Sequence, residues 1–281
     1  MLKPPRLRHL RGVHDQGVMC HAFTALASCL LGYPDQALLR VDTMIELAEE
    51  ALHPFSLAFA RCAAAVLHQC RQEAEGTQQH AEIAIELSAQ EGFPLWHAMG
   101  TVLKGWALTR RSRVQEGIGQ IRNGLKRWRH TGAVNVTPYF LALLADAYRE
   151  AGQVQDGLTA LDEARQVIQE TGERWWEAEA YRLTGEMLLI QSADHADQAE
   201  HLFRQAIEVA HELGAKLCEL RAAISLSQLL DRKGQTATAI DQLRDVYNWF
   251  TDGFDTLELQ AARHQLETLQ NHLHTVALNI S

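Results

Sequence analysis

The sequence predicts an all-α solenoid, which is a stack of about six helix pairs followed by one capping helix. Small residues recur about every forty positions, at Ala25, Ala65, Gly105, Ala145, Gly185 and Ser227. A second small site follows each of these, and an apolar residue such as Leu161 or Phe203 stands four positions after it. Repeats of this length are typical of stacked helical units that bury their apolar faces against their neighbours.

The small residues predict close contact between the two helices of each pair. A glycine inside a helix costs about 1 kcal/mol relative to alanine. We therefore expect Gly105, Gly117 and Gly185 to be offset by a large side chain or a backbone that approaches them. Gly172 and Gly214 follow helix ends, and we expect them to adopt the left-handed conformation that satisfies the last carbonyls.

The same register predicts the helix boundaries and the organisation of the chain. Prolines stand at four predicted helix entrances, where a missing N–H is tolerated, at Pro34, Pro54, Pro94 and Pro138. The predicted pairs are 18–31 with 34–50, 54–71 with 75–91, 94–110 with 113–131, 138–151 with 153–171, 174–191 with 195–213, and 216–233 with 235–250. The predicted segments are a basic N-terminal arm over 1–16, a solenoid over 17–253, a capping helix over 254–271 that shields the last pair, and a tail over 272–281.

The order of small and large residues resembles the tetratricopeptide repeat over about Gly17 to Gly253. A small residue is followed about twelve positions on by another, then by a large apolar residue and a third small residue. The chain departs from the family because no Trp stands four residues before the first small site, no Pro closes the unit, and the unit exceeds the usual ~34 residues. The resemblance implies a right-handed superhelix whose first helices line a concave binding surface.

Three stretches also resemble the C-terminal repeat region of bacterial multidomain signalling ATPases. They are Leu30–Ala37, Gly172–Glu186 and Trp249–Thr256. Chains of that class often carry a nucleotide-cyclase or kinase domain in front of the repeats. The resemblance therefore implies a role in signal transduction, with an ATPase or cyclase domain of a longer parent chain as a candidate partner.

Composition argues against several functional classes. The net charge is −9 and the pI is near 5.9, which disfavours a general nucleic-acid-binding surface. Five cysteines without a C-x-x-C pair, and no secretory segment after Met1, predict a reduced, cytoplasmic chain. The chain has no uninterrupted apolar run of about 18 residues, so we expect no membrane span.

The sequence lacks the motifs of the enzyme classes that would matter most. It contains no phosphate-binding G-x-x-x-x-G-K-[ST], no H-E-x-x-H and no G-x-S-x-G. We therefore predict a non-catalytic protein that needs no cofactor. Cys62, His68 and Cys70 would share one helix face, but buried thiols acting as small hydrophobes are favoured over a metal site.

The first helices of the pairs supply the predicted binding groove, which is apolar at its N-terminal end and polar at its C-terminal end. Its predicted partner-binding residues are Phe23, Leu26, Phe59, Val66, Met99, Val102, Trp106, Arg149, Arg182 and Glu186. An exposed apolar groove would bind an amphipathic peptide or helix, and Trp106→Glu would then abolish partner capture with the fold intact. The equally weighted alternative is that neighbouring turns bury these side chains.

A second feature is a basic stretch in the third repeat. Its predicted patch consists of Arg110, Arg111, Arg113, Arg122, Lys126, Arg127 and Arg129. Such a patch would dock an acidic partner or a phosphate. The favoured alternative is a solvated helix face whose cations lie near a helix C-terminus, where the helix dipole stabilises them.

Two function hypotheses follow. The first is a non-catalytic protein–protein interaction scaffold that binds a peptide or partner domain on its concave face. The alternative is an effector-sensing module of a signalling ATPase or nucleotide cyclase, which binds a small molecule in the superhelix. Because the N-terminal end has no polar cap, we expect the arm, a missing domain, or a second copy in a homodimer to cover the first repeat.

Overall fold

The computed structural model describes residues 15–280, with side chains described as far as residue 275. This part of the chain forms thirteen α-helices and one short 3-10 helix, and contains no β-strand. The α-helices are α1 Gln16–Leu30, α2 Pro34–Glu50, α3 Pro54–Cys70, α4 Ala74–Glu91, α5 Pro94–Arg110, α6 Val114–His130, α7 Thr137–Glu150, α8 Val154–Thr171, α9 Glu177–Gln191, α10 Ala196–Glu212, α11 Lys216–Arg232, α12 Thr236–Tyr247 and α13 Leu257–Ile280. The 3-10 helix, Ala193–His195, lies in the turn between α9 and α10.

The helices form the six predicted pairs, from α1 with α2 to α11 with α12. Each odd-numbered helix also packs against the next odd-numbered helix, and each even-numbered helix packs against the first helix of the following pair. The odd-numbered helices therefore form the inner layer and the even-numbered helices the outer layer. The all-α solenoid predicted from the repeat is confirmed.

The small residues lie where the helices of a pair approach most closely. A Cβ added to Gly117 would lie 2.6 Å from the carbonyl oxygen of Gly105, and one added to Gly105 would lie 2.8 Å from the carbonyl oxygen of Gly117. A Cβ on Gly185 would lie 2.6 Å from the ring of Phe203. These contacts supply the packing that offsets the poor helix propensity of glycine.

Four helix boundaries differ from the predicted ones by three residues or more, among them the end of α12, at Tyr247 rather than 250, and the start of α13, at Leu257 rather than 254. Helix α9 begins at Glu177 rather than 174, because the preceding Trp176 is buried outside the helix and packs edge-on against Tyr139. Helix α13 continues to Ile280, past the predicted end of the capping helix at 271 and into the predicted tail. Neither glycine nor proline occurs after Gly253, so no backbone signal ends α13 earlier. The predicted arm over 1–16 lies outside the described residues except for Asp15, which caps α1, and Gln16, which begins it.

The two ends of the solenoid meet. Helix α1 contacts α11, and the ring of Tyr33 lies 5.5 Å from that of Trp249, centroid to centroid. The backbone N–H of Gly253 donates to Oδ2 of Asp35 at 2.8 Å. The sequence predicted an uncapped first repeat that the arm, a missing domain or a second copy would cover. In the structure, the last repeat of the same chain covers part of it.

Three thiols from different helices are buried in the inner layer, at Cys29, Cys70 and Cys218. A hydrogen bond with Cys29, together with burial, raises the pKa of Cys70 well above its usual value, and burial raises the pKa of Cys218 to about 12. Burial also raises the pKa of Cys62. Cys62, Cys70 and Cys218 are therefore protonated and pack as small hydrophobes, as expected for Cys62 and Cys70.

Within the described range, no helix combines the length and apolarity needed to cross a bilayer. The same residues include no group of three His, Cys, Asp or Glu side chains placed to hold a metal ion.

Candidate functional site

The inner layer buries most of the predicted apolar groove. Less than a tenth of the surface of each of four of its side chains is exposed, namely Val66, Met99, Val102 and Trp106. Of the two alternatives left open by the sequence, burial against neighbouring turns holds for these four. A partner cannot reach Trp106 directly, since only 1% of its surface is exposed.

The remaining apolar residues of the predicted groove lie nearer the surface. Phe23 is 57% exposed, and its ring lies 6.2 Å from that of the half-buried Phe59. Leu26 is also half-buried. A role for these three side chains in partner binding remains a prediction.

Most of the predicted basic patch is exposed but already in contact with other side chains. Five of its arginines contact acidic or amide side chains: Arg110 with Asp146 and Glu150, Arg111 with Gln78, Arg113 with Glu116, Arg127 with Asn123, and Arg129 with Glu163. The other two residues of the patch, Arg122 and Lys126, are exposed on α6. Arg122, Lys126 and Arg129 also line a cleft of about 590 Å³ between α6, α7 and α8. A docking role for this patch remains a prediction.

The three polar residues of the predicted groove lie together on the inner layer. Arg149, Arg182 and Glu186 line a cavity of about 250 Å³ formed by side chains from α3, α5, α7, α9, α11 and α13 and by Gln72 and Trp176. The charged residues that line it are Arg110, Asp146, Arg149, Glu179, Arg182, Glu186, Arg221 and Glu258. The cavity is therefore lined by charges of both signs.

Ion pairs connect these side chains from one inner helix to the next. Nη2 of Arg149 lies 2.8 Å from Oδ1 of Asp146 on the same helix, and its Nε lies 3.4 Å from Oε2 of Glu186 on α9. Nη1 of Arg182 donates to Oε1 of Glu186 at 2.5 Å. Glu186 thus links Arg149 on α7 to Arg182 on α9.

The ion pairs continue toward the C-terminal helix. Nη2 of Arg182 lies 2.8 Å from Oε2 of Glu179, whose Oε1 lies 3.8 Å from Nη1 of Arg221. Nη2 of Arg221 donates to Oε1 of Glu258 and to the carbonyl oxygen of Cys70, both at 2.5 Å. Arg221 therefore belongs both to the cavity wall and to the contact between the first and last parts of the solenoid.

Two of the lining carboxyl groups remain ionised despite their burial. Burial by itself would raise the pKa of Asp146, but the guanidinium groups of Arg110 and Arg149 lower it further than burial raises it. Burial opposes ionisation of Glu179 in the same way, and Arg182 and Arg221 hold its pKa below the usual value. The cavity therefore presents fixed charges in surroundings that screen them poorly.

A second cavity of about 240 Å³ adjoins the first. The two share the side chains of Arg149, Glu186, Ser225 and Gln228. Ser225 donates from its Oγ to Oε1 of Glu186 at 2.8 Å, whereas Gln228 is exposed. We call the two adjoining cavities the interior groove.

Sequence reasoning missed three charged side chains of the first cavity, namely Glu179, Arg221 and Glu258. Glu179 and Arg221 stand six positions before Gly185 and Ser227, the same repeat position as Phe59 and Met99. That register would have placed both on the inner layer. Glu258 lies beyond the last repeat, so the repeat carries no signal for it.

No protein-family model matches the sequence. An uncharacterized protein of Rhizobium meliloti is 25% identical to this chain over 218 residues, which is 78% of this chain and 21% of that protein. The chain therefore spans about a fifth of the length of that curated relative.

Solved structures resemble the fold more extensively. A Rap protein complexed with competence and sporulation factor has a TM-score of 0.64 at 13% identity, covering 93% of this chain and 76% of that one. The apo form of RapI has a TM-score of 0.57 at 14% identity, covering 93% and 73%. The fold is tetratricopeptide-like. A signal transduction ATPase with numerous domains and a tetratricopeptide repeat sensor, from Pyrococcus horikoshii, has a TM-score of 0.54 at 12% identity, covering 92% of this chain and 44% of that one.

Proposed function

We propose that this chain is a non-catalytic binding module that holds a short charged peptide, or the charged end of a partner protein, in its interior groove. The observation that carries the proposal is the set of ionised side chains around an internal cavity. Buried ion pairs add little net stability, because desolvation of the charges offsets their attraction. Their concentration around Arg149, Arg182 and Glu186 therefore favours recognition over a purely structural role.

The size of the groove restricts what it holds. Its two cavities, of about 250 and 240 Å³, together fall within the ~300–1,000 Å³ common for ligand sites. Because Val66, Val102 and Trp106 are buried, a long amphipathic helix has no apolar surface to lie along here. A short segment with charged groups fits better than the amphipathic peptide or helix that the sequence suggested.

The structural relatives are compatible with this proposal. The Rap protein of similar fold was solved with a bound factor, so a tetratricopeptide-like solenoid of this kind accommodates a ligand. The identity is too low to transfer that ligand to this chain. A protein or peptide partner is therefore proposed from the groove's own chemistry.

An effector-sensing module of a longer signalling protein is the second candidate. It is favoured by the Rhizobium meliloti relative, which is much longer than the matching region, and by the ATPase of similar fold with a repeat sensor. Arg221 offers a physical route, because a ligand beside it would affect its bond to the carbonyl of Cys70 and so the closure of the solenoid. An ATPase or cyclase domain as partner, and a cytoplasmic location, belong to this proposal.

Peptide selection tests the first candidate. We expect tetrapeptides selected from a random library to bind the wild-type protein and to bind Gln228→Trp at least tenfold more weakly, because Gln228 lines both cavities. Gln228 is exposed and makes none of the ion pairs, so this change blocks the groove with little effect on folding. Arg149→Ala should weaken binding similarly, because it removes a positive charge that lines both cavities. The fold should tolerate the change, since Asp146 and Glu186 each keep another arginine.

The matched control is Gln155→Trp at an exposed position of α8 outside both cavities. Dissociation constants from calorimetry compare the variants. Selection of no peptide, or equal binding by Gln228→Trp, would rule out peptide recognition in this groove. Saturable binding of a small metabolite in place of peptides would favour the sensing module.

A further inference from the structure

Glu258 occupies the cavity wall with one carboxylate oxygen unpartnered. Helix α13 carries this side chain, which is only 6% exposed. Its Oε1 accepts two hydrogen bonds from Arg221, at 2.5 Å from Nη2 and 3.2 Å from Nε. Its Oε2 is buried and has no hydrogen-bond partner among the described residues. An unpaired buried acceptor costs about 1–3 kcal/mol, and more when it is charged, so this oxygen favours a ligand that donates to it.

The charges that line the cavity are equal in number but unevenly paired. Four guanidinium groups line it, from Arg110, Arg149, Arg182 and Arg221, with four carboxyl groups, from Asp146, Glu179, Glu186 and Glu258. Asp146, Glu179 and Glu186 each contact two of these guanidinium groups. Glu258 pairs with Arg221 alone, and Arg221 is shared with Glu179. Glu258 therefore has the fewest cationic partners of the four carboxyl groups, and the unpaired oxygen belongs to it.

We propose that the cavity recognises a primary ammonium group, which donates to Oε2 of Glu258. This inference rests on the proposed function and specifies which end of the ligand enters the cavity. The free N-terminus of a peptide, a lysine side chain and a free organic amine are the sources of such a group.

The geometry favours an ammonium group over other cations. A guanidinium group is planar and pairs best with two acceptors side by side, whereas Oε1 of Glu258 is already occupied by Arg221. A metal ion needs several oxygen, nitrogen or sulfur ligands, and no suitable group of three acidic, His or Cys residues lies within the described part of the chain. A compact ammonium group forms a charge-assisted hydrogen bond with one oxygen.

The test compares ligands on the unmodified protein first. The probes are a random lysine-free tetrapeptide library with free N-termini, the same library N-acetylated, and the amines ethylamine, ethanolamine and putrescine. An increase in the melting temperature of the protein identifies the probes that bind. Isothermal titration calorimetry then gives their dissociation constants. We expect N-acetylation to weaken the selected peptides at least tenfold, or the free amines to bind saturably.

Variants then locate the ammonium site. Glu258→Gln keeps the shape of the side chain and removes its charge, so we expect it to weaken binding of free-amine ligands at least tenfold. Glu267→Gln, at an exposed position of the same helix, should bind like the wild type. If circular dichroism shows that Glu258→Gln does not fold, the comparison of free and acetylated peptides on the wild-type protein still tests whether the cavity recognises an ammonium group.

The outcomes separate this inference from the proposed function. Equal affinity for free and acetylated peptides overturns the ammonium site and leaves peptide binding standing. Binding of amines without peptides supports the ammonium site and replaces peptide recognition by small-molecule sensing. Failure of every probe to bind overturns both.

Discussion

Trp106 illustrates how a side chain on the predicted concave face becomes part of the core. Its ring lies in the inner layer, and the guanidinium carbon of Arg110 lies 5.5 Å from the ring centroid. Arg110 itself points toward Asp146 at the cavity. The residue therefore supports the groove from behind and does not contact a partner.

The sequence suggested that Trp106→Glu would leave the fold intact. Because the structure buries Trp106, we expect this substitution to destabilise the fold. Loss of a buried aromatic ring costs about 3–5 kcal/mol, and a buried carboxylate adds to that loss. Phe23→Glu makes a similar change at a largely exposed ring and should cost less than about 1 kcal/mol. Urea denaturation followed by circular dichroism measures both. Two small, equal losses would mean that Trp106 is not in the core.

At the scale of the element, α5 and α6 show the closest backbone approach that the glycine pattern predicted. Gly105 and Gly117 face each other with no room for a Cβ on either. Gly119 lies two positions further along α6 and is exposed, and a Cβ added to it would have no neighbouring atom within 4 Å. Helix α6 therefore contains one glycine that packing requires, Gly117, and one that packing does not require, Gly119.

We expect Gly117→Ala and Gly119→Ala to have opposite effects on stability. The first should cost about 1–3 kcal/mol, because the methyl group forces the two backbones apart. The second should stabilise the protein by up to about 1 kcal/mol, because alanine is the better helix former. Thermal unfolding of the two variants distinguishes the effects. A stabilising Gly117→Ala would contradict the close contact of α5 with α6.

The solenoid as a whole is held closed by contacts that few residues make. Asp35 accepts hydrogen bonds from the N–H of Gly253 and from Nη1 of the buried Arg71. Arg221 adds its bond to the carbonyl of Cys70. These contacts join the first two repeats to the last repeat and to the segment before α13, so they determine whether the interior groove keeps its shape.

We expect Asp35→Ala to loosen this closure without unfolding the repeats. Hydrogen exchange at the amide of Gly253 should accelerate by about tenfold, since loss of its acceptor removes about 1.4 kcal/mol of protection. Asp42→Ala, at an exposed position of the same helix, provides the control. Unchanged exchange at Gly253 in Asp35→Ala would show that closure does not depend on this bond.

The repeat pattern predicted most of the fold, because helix pairing depends on spacing along the chain. The small residues from Ala25 to Ser227 and the prolines at helix entrances indicated six pairs, and each pair was found close to its predicted range. The same spacing placed Arg149, Arg182 and Glu186 on the inner layer. Properties of one helix, or of one helix against its neighbour, are therefore readable from periodicity.

Only the tertiary structure decided how the inner layer is used. Burial of Trp106, the meeting of Tyr33 with Trp249, and the entry of Glu258 into the cavity all depend on how far each repeat turns relative to the last. Small rotations per repeat add along a solenoid and determine whether its ends meet. The spacing of residues along the chain does not specify this total rotation. The sequence by itself therefore determined the helix pairs, whereas the accumulated rotation of the repeats determined the closed interior and its charged groove.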